Sequence, residues 1–386
     1  MSPRIARIGP ALRGTALVAA ALAAAAGSTG AALASPSLAA SSAHKVNAPA
    51  VSRVPSASVG LGWSVAEYST ASEPNTKPVI KGKTTLYLVS PQGKKTAFYN
   101  VPAGTGLNMW RLIDWSGDGQ RVLLGTPNGA YEQVSVKTGK VVNKFSLTTQ
   151  TSITVIGYTR PHGENILATA PGGIGVDRYD LQGRLQQRLS KTALQVMESP
   201  DGTSVVAGTQ TGLQLISNTG GVLKNLPPAA GQAFCQPERW WNAKTILAEC
   251  NAKHGSGAPR LWLFPAGGGK VTPLTPQRSG KSGDLGDISA WKISSGTYTQ
   301  ALGPCGVEFI AKVSGAQVKV PGSNLSSDKI VTGLGSQLLV SPLDGCGGQA
   351  SLAWFNPGTK HVTWILKPGK NLIGAEIVVP FGRPLS

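Results

Sequence analysis

The sequence predicts an all-β fold built from small repeated sheets, and three observations carry that expectation. A turn phrase recurs ahead of short apolar runs: Ser116-Gly117-Asp118-Gly119 before RVLLGT, Pro161-His162-Gly163-Glu164 before NILATA, and Ser199-Pro200-Asp201-Gly202 before TSVVAGT. With the weaker Trp241-Asn242-Ala243-Lys244 before TILAEC, the equivalent positions Gly119, Gly163, Gly202 and Ala243 stand 44, 39 and 41 residues apart. The composition, with 49 glycines and only 14% charged residues in a chain of 386, suits many tight turns. A period near 40 residues with several strands in each unit is the pattern of a β-propeller blade.

The N-terminus is set apart. Arg4, Arg7 and Arg13 precede an apolar run over 15–26, and Ala32-Leu33-Ala34 offers the small residues of a cleavage site. This predicts a signal peptide over 1–34 and an exported product. A run of about 12 apolar residues is too short to span roughly 30 Å of hydrocarbon, and no later stretch reads as a transmembrane segment. Residues 35–81 are rich in Ser, Ala and Pro, poor in large apolar groups, and read as a flexible segment. Within it, 61–68 (LGWSVAEY) has the makings of an added strand, because Trp63 would be wasted in a linker. Residues 82–386 contain no Pro- or Ser-rich break and form one domain, long for a single core but normal where each blade packs only on its neighbours.

The repeats are followed in order. In the first, RLIDW, RVLLGT, YEQVSV and the run 141–147 are joined by turns at Gly119, Gly129 and Gly139. The second runs over 153–189 through ILATA, IGVDRYD and RLQQRL, and the third over 194–226 through SVVAGT, GLQLIS and VLKNL. The fourth, over 234–274, contains TILAEC, RLWLFP and KVTPLT. The fifth (DISAW, TYTQAL, VEFIAKV, VKV) and sixth (QLLVSP, SLAWF, HVTWIL, after a strand in the 330s) are more degenerate. TLYLVS and TAFYNV are left over near the start and LIGAEIVVP near the end. Together they make a composite blade, with the last of these supplying its inner strands, so that both termini close the ring and no edge stays open. The count is seven four-stranded blades, with six or eight within the slip of such boundaries.

The chain resembles the TolB-like and WD40-like β-propellers, particularly exported bacterial members. The likeness rests on Asp114-Trp115-Ser116-Gly117-Asp118-Gly119, on Ser199-Pro200-Asp201-Gly202 and the strands that follow, and on the strand-turn-strand runs 131–140 and 261–270. The Gly-His and Trp-Asp dipeptides of WD40 repeats are absent, so that comparison is to architecture. The resemblance implies a propeller and often a binding role, and it names no partner.

Four cysteines in an exported chain point to disulfides. Cys235 and Cys250 flank two strands joined by a turn, and Cys305 and Cys346 occupy similar places in consecutive repeats; these are the expected pairs. Asp118 and Asp201, with Gly119, Gly163 and Gly202, read as turn-forming residues, since a short carboxylate caps backbone N–H groups at a bend. No D-x-D-x-D-G, HExxH, CxxC or GxSxG pattern occurs. No metal, cofactor or catalytic residue is therefore assigned, and an enzyme is the lesser reading. Most of the nine tryptophans suit the wide gaps between radial sheets. Arg239, Trp240, Trp241 and Lys244 form the candidate ligand site, where a rim indole beside two cations suits a sugar ring or acidic polymer. The formal charge is +18, or +15 without Arg4, Arg7 and Arg13, and it favours polyanionic neighbours. Export argues against nucleic acid. The function expected is a secreted or envelope-associated binding or scaffolding module for a protein or an anionic envelope polymer. The alternative is a propeller enzyme acting on carbohydrate or a quinone-dependent substrate, which needs carboxylates converging in the channel.

Overall fold

The computed structural model describes residues 59–73, 77–147, 153–253, 257–281, 284–344 and 348–382. The signal peptide expected over 1–34, the beginning of the 35–81 segment and the Cys305–Cys346 pairing lie outside the described residues. Among the described residues no helix is long and apolar enough to cross a membrane.

The chain enters through β1 (Ser64–Ser72), β2 (Thr84–Val89) and β3 (Lys95–Val101). Blade 1 follows as β4 (Arg111–Trp115), β5 (Arg121–Gly125), β6 (Ala130–Ser135) and β7 (Val141–Ser146). Blade 2 is β8 (Val155–Tyr158), β9 (Asn165–Thr169), β10 (Val176–Asp180) and β11 (Leu185–Ser190). Blade 3 is β12 (Gln195–Glu198), β13 (Ser204–Thr209), β14 (Gly212–Ser217) and β15 (Val222–Leu226). Blade 4 is β16 (Gln232–Asn242), β17 (Thr245–Ala252), β18 (Arg260–Pro265) and the two-residue β19 (Thr272–Pro273). Blade 5 is β20 (Asp287–Ile293), β21 (Gly296–Leu302), β22 (Glu308–Lys312) and β23 (Gln317–Val318). Blade 6 is β24 (Ser327–Leu334), β25 (Gln337–Leu343), β26 (Leu352–Asn356) and β27 (His361–Leu366), and β28 (Leu372–Pro380) ends the ring.

These strands form seven four-stranded antiparallel sheets, the seventh in the order β28-β1-β2-β3. The protein is a seven-bladed β-propeller closed by both termini. Closure differs from the sequence expectation in its division of strands. The C-terminal run is one nine-residue strand and supplies only the innermost position, while β1 takes the second. The propeller accordingly begins before residue 82, and 64–72 belongs to the ring rather than to a flexible segment. Val65 explains why: it is paired to Leu88 on one side and Val379 on the other, and is fully buried.

Between blades the packing is apolar and aromatic. Leu123, Tyr131 and Phe145 of blade 1 meet Val155, Tyr158 and Ile166 of blade 2, and Trp291 and Tyr298 of blade 5 meet Ile330, Leu338 and Phe355 of blade 6. Strand alternation sends successive side chains to the two neighbouring blades, so the second strands read as nearly continuous apolar runs, as in VVAG of β13.

Six of the seven innermost strands are bulged, β12 being the regular one. At three of them a polar side chain of the preceding blade accepts a backbone N–H close to the bulge. Leu112 N donates to Glu67 Oε2 at 2.6 Å beside the β4 bulge, and Tyr158 N to Asp114 Oδ2 at 2.9 Å beside the β8 bulge. Ile330 N donates to Gln300 Oε1 at 2.5 Å beside the β24 bulge. Glu67, Asp114 and Gln300 are all essentially sealed from solvent.

Since adjacent strands run antiparallel, connections alternate between two faces. Turns from first to second and from third to fourth strand lie on one, here the hairpin face. Turns from second to third strand, and the passages between blades, lie on the other, the loop face.

Two outcomes are expected. Gln300→Leu strands the Ile330 N–H inside the protein and lowers unfolding free energy by about 1–3 kcal/mol in a denaturant titration. A chain ending at Asn371 loses the strand paired to Val65 and Ala66, exposes their apolar face, and yields little soluble, cooperatively melting protein.

Candidate functional site

Arg239, Trp240, Trp241 and Lys244 lie at the hairpin-face end of β16, and the structure does not gather them into one pocket. Trp240 packs with Met197, Val206 and Phe264 between blades 3 and 4, and its Nε1–H donates to the Glu198 carbonyl at 3.1 Å. Trp241 turns to the other side, against Leu247, Leu261 and Ala290. The Arg239 guanidinium lies 5.1 Å from the centre of the Trp291 ring. Lys244 is exposed in the hairpin, with its backbone N–H on Asn242 Oδ1. The two indoles face opposite blades, as a strand requires, and both are half-buried packing residues.

Cys235 and Cys250 are directly paired across β16 and β17 and joined as a disulfide. The two sharp turn phrases are built alike. Asp118 Oδ1 accepts from Gln120 N and from the Ser116 hydroxyl, and Asp201 Oδ1 accepts from Thr203 N and from the Ser199 hydroxyl. Those serine hydroxyls in turn accept Arg121 N and Ser204 N. The bond from Ser199 holds the Asp201 carboxyl below its ordinary value. Gly119, Gly163 and Gly202 all take positive φ. Gly202 is doubly constrained, because a Cβ there would lie 1.8 Å from the Arg160 carbonyl oxygen. Among the described residues no group of three His, Cys, Asp or Glu side chains is placed to hold a metal ion.

Two arginine-centred clusters were not anticipated. Arg160 Nη2 meets Asp114 Oδ1 at 3.2 Å, while Arg160 N donates to Glu198 Oε2 at 2.6 Å, tying blades 1, 2 and 3 together. Burial holds the Glu198 carboxyl up at about 8 despite the pull of Arg160. Arg111 bridges Glu67, at 2.9 Å, and Glu376. Burial likewise pushes Glu67 up to about 7, opposed by Arg111 and by the Leu112 N–H. These pairs bring carboxylates together, but Asp114 and Glu198 are sealed between blades, and Glu67 is sealed and committed to its backbone lock. Their geometry suits cross-bracing. The signal for the Arg160 cluster was an acidic residue just ahead of a turn phrase, Asp114 before Ser116 and Glu198 before Ser199; the Arg111 cluster has no such local signal.

The loop face gathers lysines at the closing blade. Lys77, Lys81 and Lys83 of the β1–β2 connection, Lys367 and Lys370 between β27 and β28, and Lys319 ahead of β24 are all exposed. The first two groups are neighbours, since Glu73 N donates to the Asn371 carbonyl at 3.1 Å. None of the six lysines forms a salt bridge with a described residue. Lys367 Nζ also lies 4.4 Å from the Trp364 ring centre, so cation and aromatic surface adjoin.

No protein-family model matches this chain, and no curated protein matches it. Similarity appears with solved propellers. The C-terminal WD40 domain of Sif2 is 15% identical, with 76% of this chain and 79% of that chain covered and a TM-score of 0.46. The dihydro-heme d1 dehydrogenase NirN is 10% identical over 87% of this chain and 76% of its own, at 0.47. A structure from a study of two prolyl endopeptidases is 12% identical over 79% of this chain, which spans only half of that one, at 0.48. At these values the similarity adds nothing to what the ring of seven sheets already displays.

The raised Glu198 carboxyl sets a pH dependence. The folded protein holds this proton more tightly than an unfolded chain, whose carboxyl titrates near 4.5. Its contribution to stability is complete below that value and is lost as pH rises towards about 8. Glu198→Gln keeps an acceptor for Arg160 N and removes the loss. In denaturant titrations the variant is expected to match the parent near pH 5 and exceed it above pH 8, by roughly 3–4 kcal/mol.

Proposed function

We propose that the protein is an exported, non-enzymatic binding module whose loop face receives an anionic envelope polymer. The observation that carries this reading is the group of exposed lysines around the closing blade, Lys77, Lys81, Lys83, Lys367 and Lys370, with no described salt-bridge partner. Cations left without counter-charges on a rigid surface attract polyanions and cost little to desolvate at its rim. Further support comes from the excess of +15 beyond the N-terminal arginines and from the signal-like start of the chain. The Cys235–Cys250 disulfide suits an oxidising compartment.

The site moves from the sequence expectation around Arg239 and Lys244 to the opposite face, because Arg239 is engaged with Trp291 and the two tryptophans serve as packing. The Trp364 ring under Lys367 gives the polymer an apolar surface beside the charge.

The test compares the parent protein with a variant carrying Lys→Glu at 77, 81, 83, 367 and 370. The probes are poly(glycerol phosphate), polygalacturonate and neutral dextran. The parent is expected to bind the two polyanions, at least about tenfold more weakly at 0.5 M than at 0.05 M salt, and to ignore dextran. The variant is expected to bind neither polyanion. Equal binding by parent and variant, or a preference for dextran, overturns the reading.

A further inference from the structure

On the same loop face, at blades 2–4, three large apolar side chains stand in solvent. They are Ile174 at 57% exposure, Leu194 at 45% and Phe234 at 41%. Backbone hydrogen bonds link the segments that carry them. Gly175 N donates to the Ala193 carbonyl at 2.8 Å, Leu194 N to the Gly208 carbonyl at 3.0 Å, and Phe234 N reaches the Gln210 carbonyl at 3.5 Å. A Cβ on Gly208 would lie 2.7 Å from the Cys235 carbonyl oxygen, so the second strand of blade 3 presses against the start of β16. One apolar arc therefore crosses three blades.

Phe234 is the residue that folding does not explain. It is the extra residue of a bulge between Ala233 and Cys235, and it takes φ +49°. A bulky side chain in that left-handed region costs about 1–3 kcal/mol, which a glycine would avoid. The bulge turns the ring away from the sheet and into solvent, while the next residue, Cys235, is buried and cross-linked to Cys250. A strained, exposed aromatic held beside a disulfide is a preorganised anchor rather than a packing residue.

The surroundings specify what it meets. Lys191 and Lys253 are exposed at either side of the arc, and Lys253 N is tied to the Gly231 carbonyl at 2.8 Å, three residues before Phe234. The described segments around the arc, 170–175, 191–194, 210–211, 227–234, 251–253 and 257–259, contain no Asp or Glu. Leu194 immediately precedes β12 and Phe234 is near the start of β16, the innermost strands of blades 3 and 4.

We infer that the arc of Ile174, Leu194 and Phe234 is a docking site for an acidic peptide segment of a partner protein. Large apolar side chains of that segment seat on the arc, and its carboxylates meet Lys191 and Lys253. The inference rests on the reading of the chain as a binding module and adds a second surface, separate from the lysines of the closing blade.

The test selects a displayed library of random short peptides against the full chain, and compares parent with Phe234→Gly. Glycine accepts the local φ, so the variant is expected to melt at the same temperature or higher. Enriched peptides are expected to combine carboxylates with large apolar residues and to bind Phe234→Gly at least about tenfold more weakly. The Lys→Glu variant of the closing blade is expected to capture them as well as the parent does, whether or not polyanions bind, which keeps the two readings separable. Equal capture by parent and Phe234→Gly, or enrichment of peptides lacking carboxylates, overturns the inference. Phe234-dependent binding to vesicles of phosphatidylglycerol and phosphatidylcholine overturns it as well, in favour of a membrane surface.

Discussion

The ring depends on what happens to backbone N–H groups at the bulged innermost strands. A buried N–H without an acceptor costs about as much as a lost hydrogen bond, and these strands have no further neighbour on their channel side. Glu67, Asp114 and Gln300 meet that demand from the preceding blade. The inner strands of blades 1, 2 and 6 are thus completed by the preceding blade, and the coupling extends through the closure, since Glu67 belongs to β1 and its donor Leu112 to blade 1. The N-terminal strand is held at once by β28, by β2 and by blade 1. Two of the three acceptors are carboxylates, and sealing Glu67 from water raises its affinity for a proton. The lock stabilises the ring and makes it sensitive to pH.

Arginine adds a second level of bracing at blades 1–3. Arg160 draws Asp114 and Glu198 towards one guanidinium and backbone, and the turn phrases of blades 1 and 3 close over residues 160 and 161. Gly117 and Gly202 have no room for a Cβ there. This shared packing accounts for the sharpness of the phrase in these blades. In blades 5 and 6 the corresponding hairpins, Ser294-Ser295 and Gly335-Ser336, have only two residues and need no aspartate cap. The repeat fades in the sequence where the turn shortens, while the four-stranded sheet persists.

The two faces of the propeller have diverged along the same line. The hairpin face is made of short turns whose polar groups satisfy one another. Exposed lysines stand there too, Lys137, Lys140, Lys244 and Lys360 among them, spread over three blades. The longer connections of the loop face instead bring Lys77, Lys81, Lys83, Lys367 and Lys370 into one neighbourhood and leave Ile174, Leu194 and Phe234 in solvent. Rigid sheets allow such loops to vary without endangering the core, and exposed apolar groups on them are the ones a fold alone does not require.

Blade period, strand order, the turn aspartates and the Cys235–Cys250 link were all legible in the chain, because each depends on residues close in sequence or on strict alternation. The division of the closing blade was not. Whether 61–72 joins the ring is decided by Val65 finding Val379 more than 300 residues away, a contact that local pattern does not encode. The same limit applies to the site. Adjacent tryptophans and nearby cations at 239–244 looked like one surface, but strand alternation sent the indoles to different blades and Trp291, from the next blade, engaged Arg239. Phe234 read as an ordinary strand residue until a bulge turned it outwards. Composition and short-range pattern determined that this chain is a basic, disulfide-linked ring of blades. Only the packing of distant strands decided which cations and aromatics remain free to meet a partner, because a side chain's exposure depends on neighbours brought together by folding.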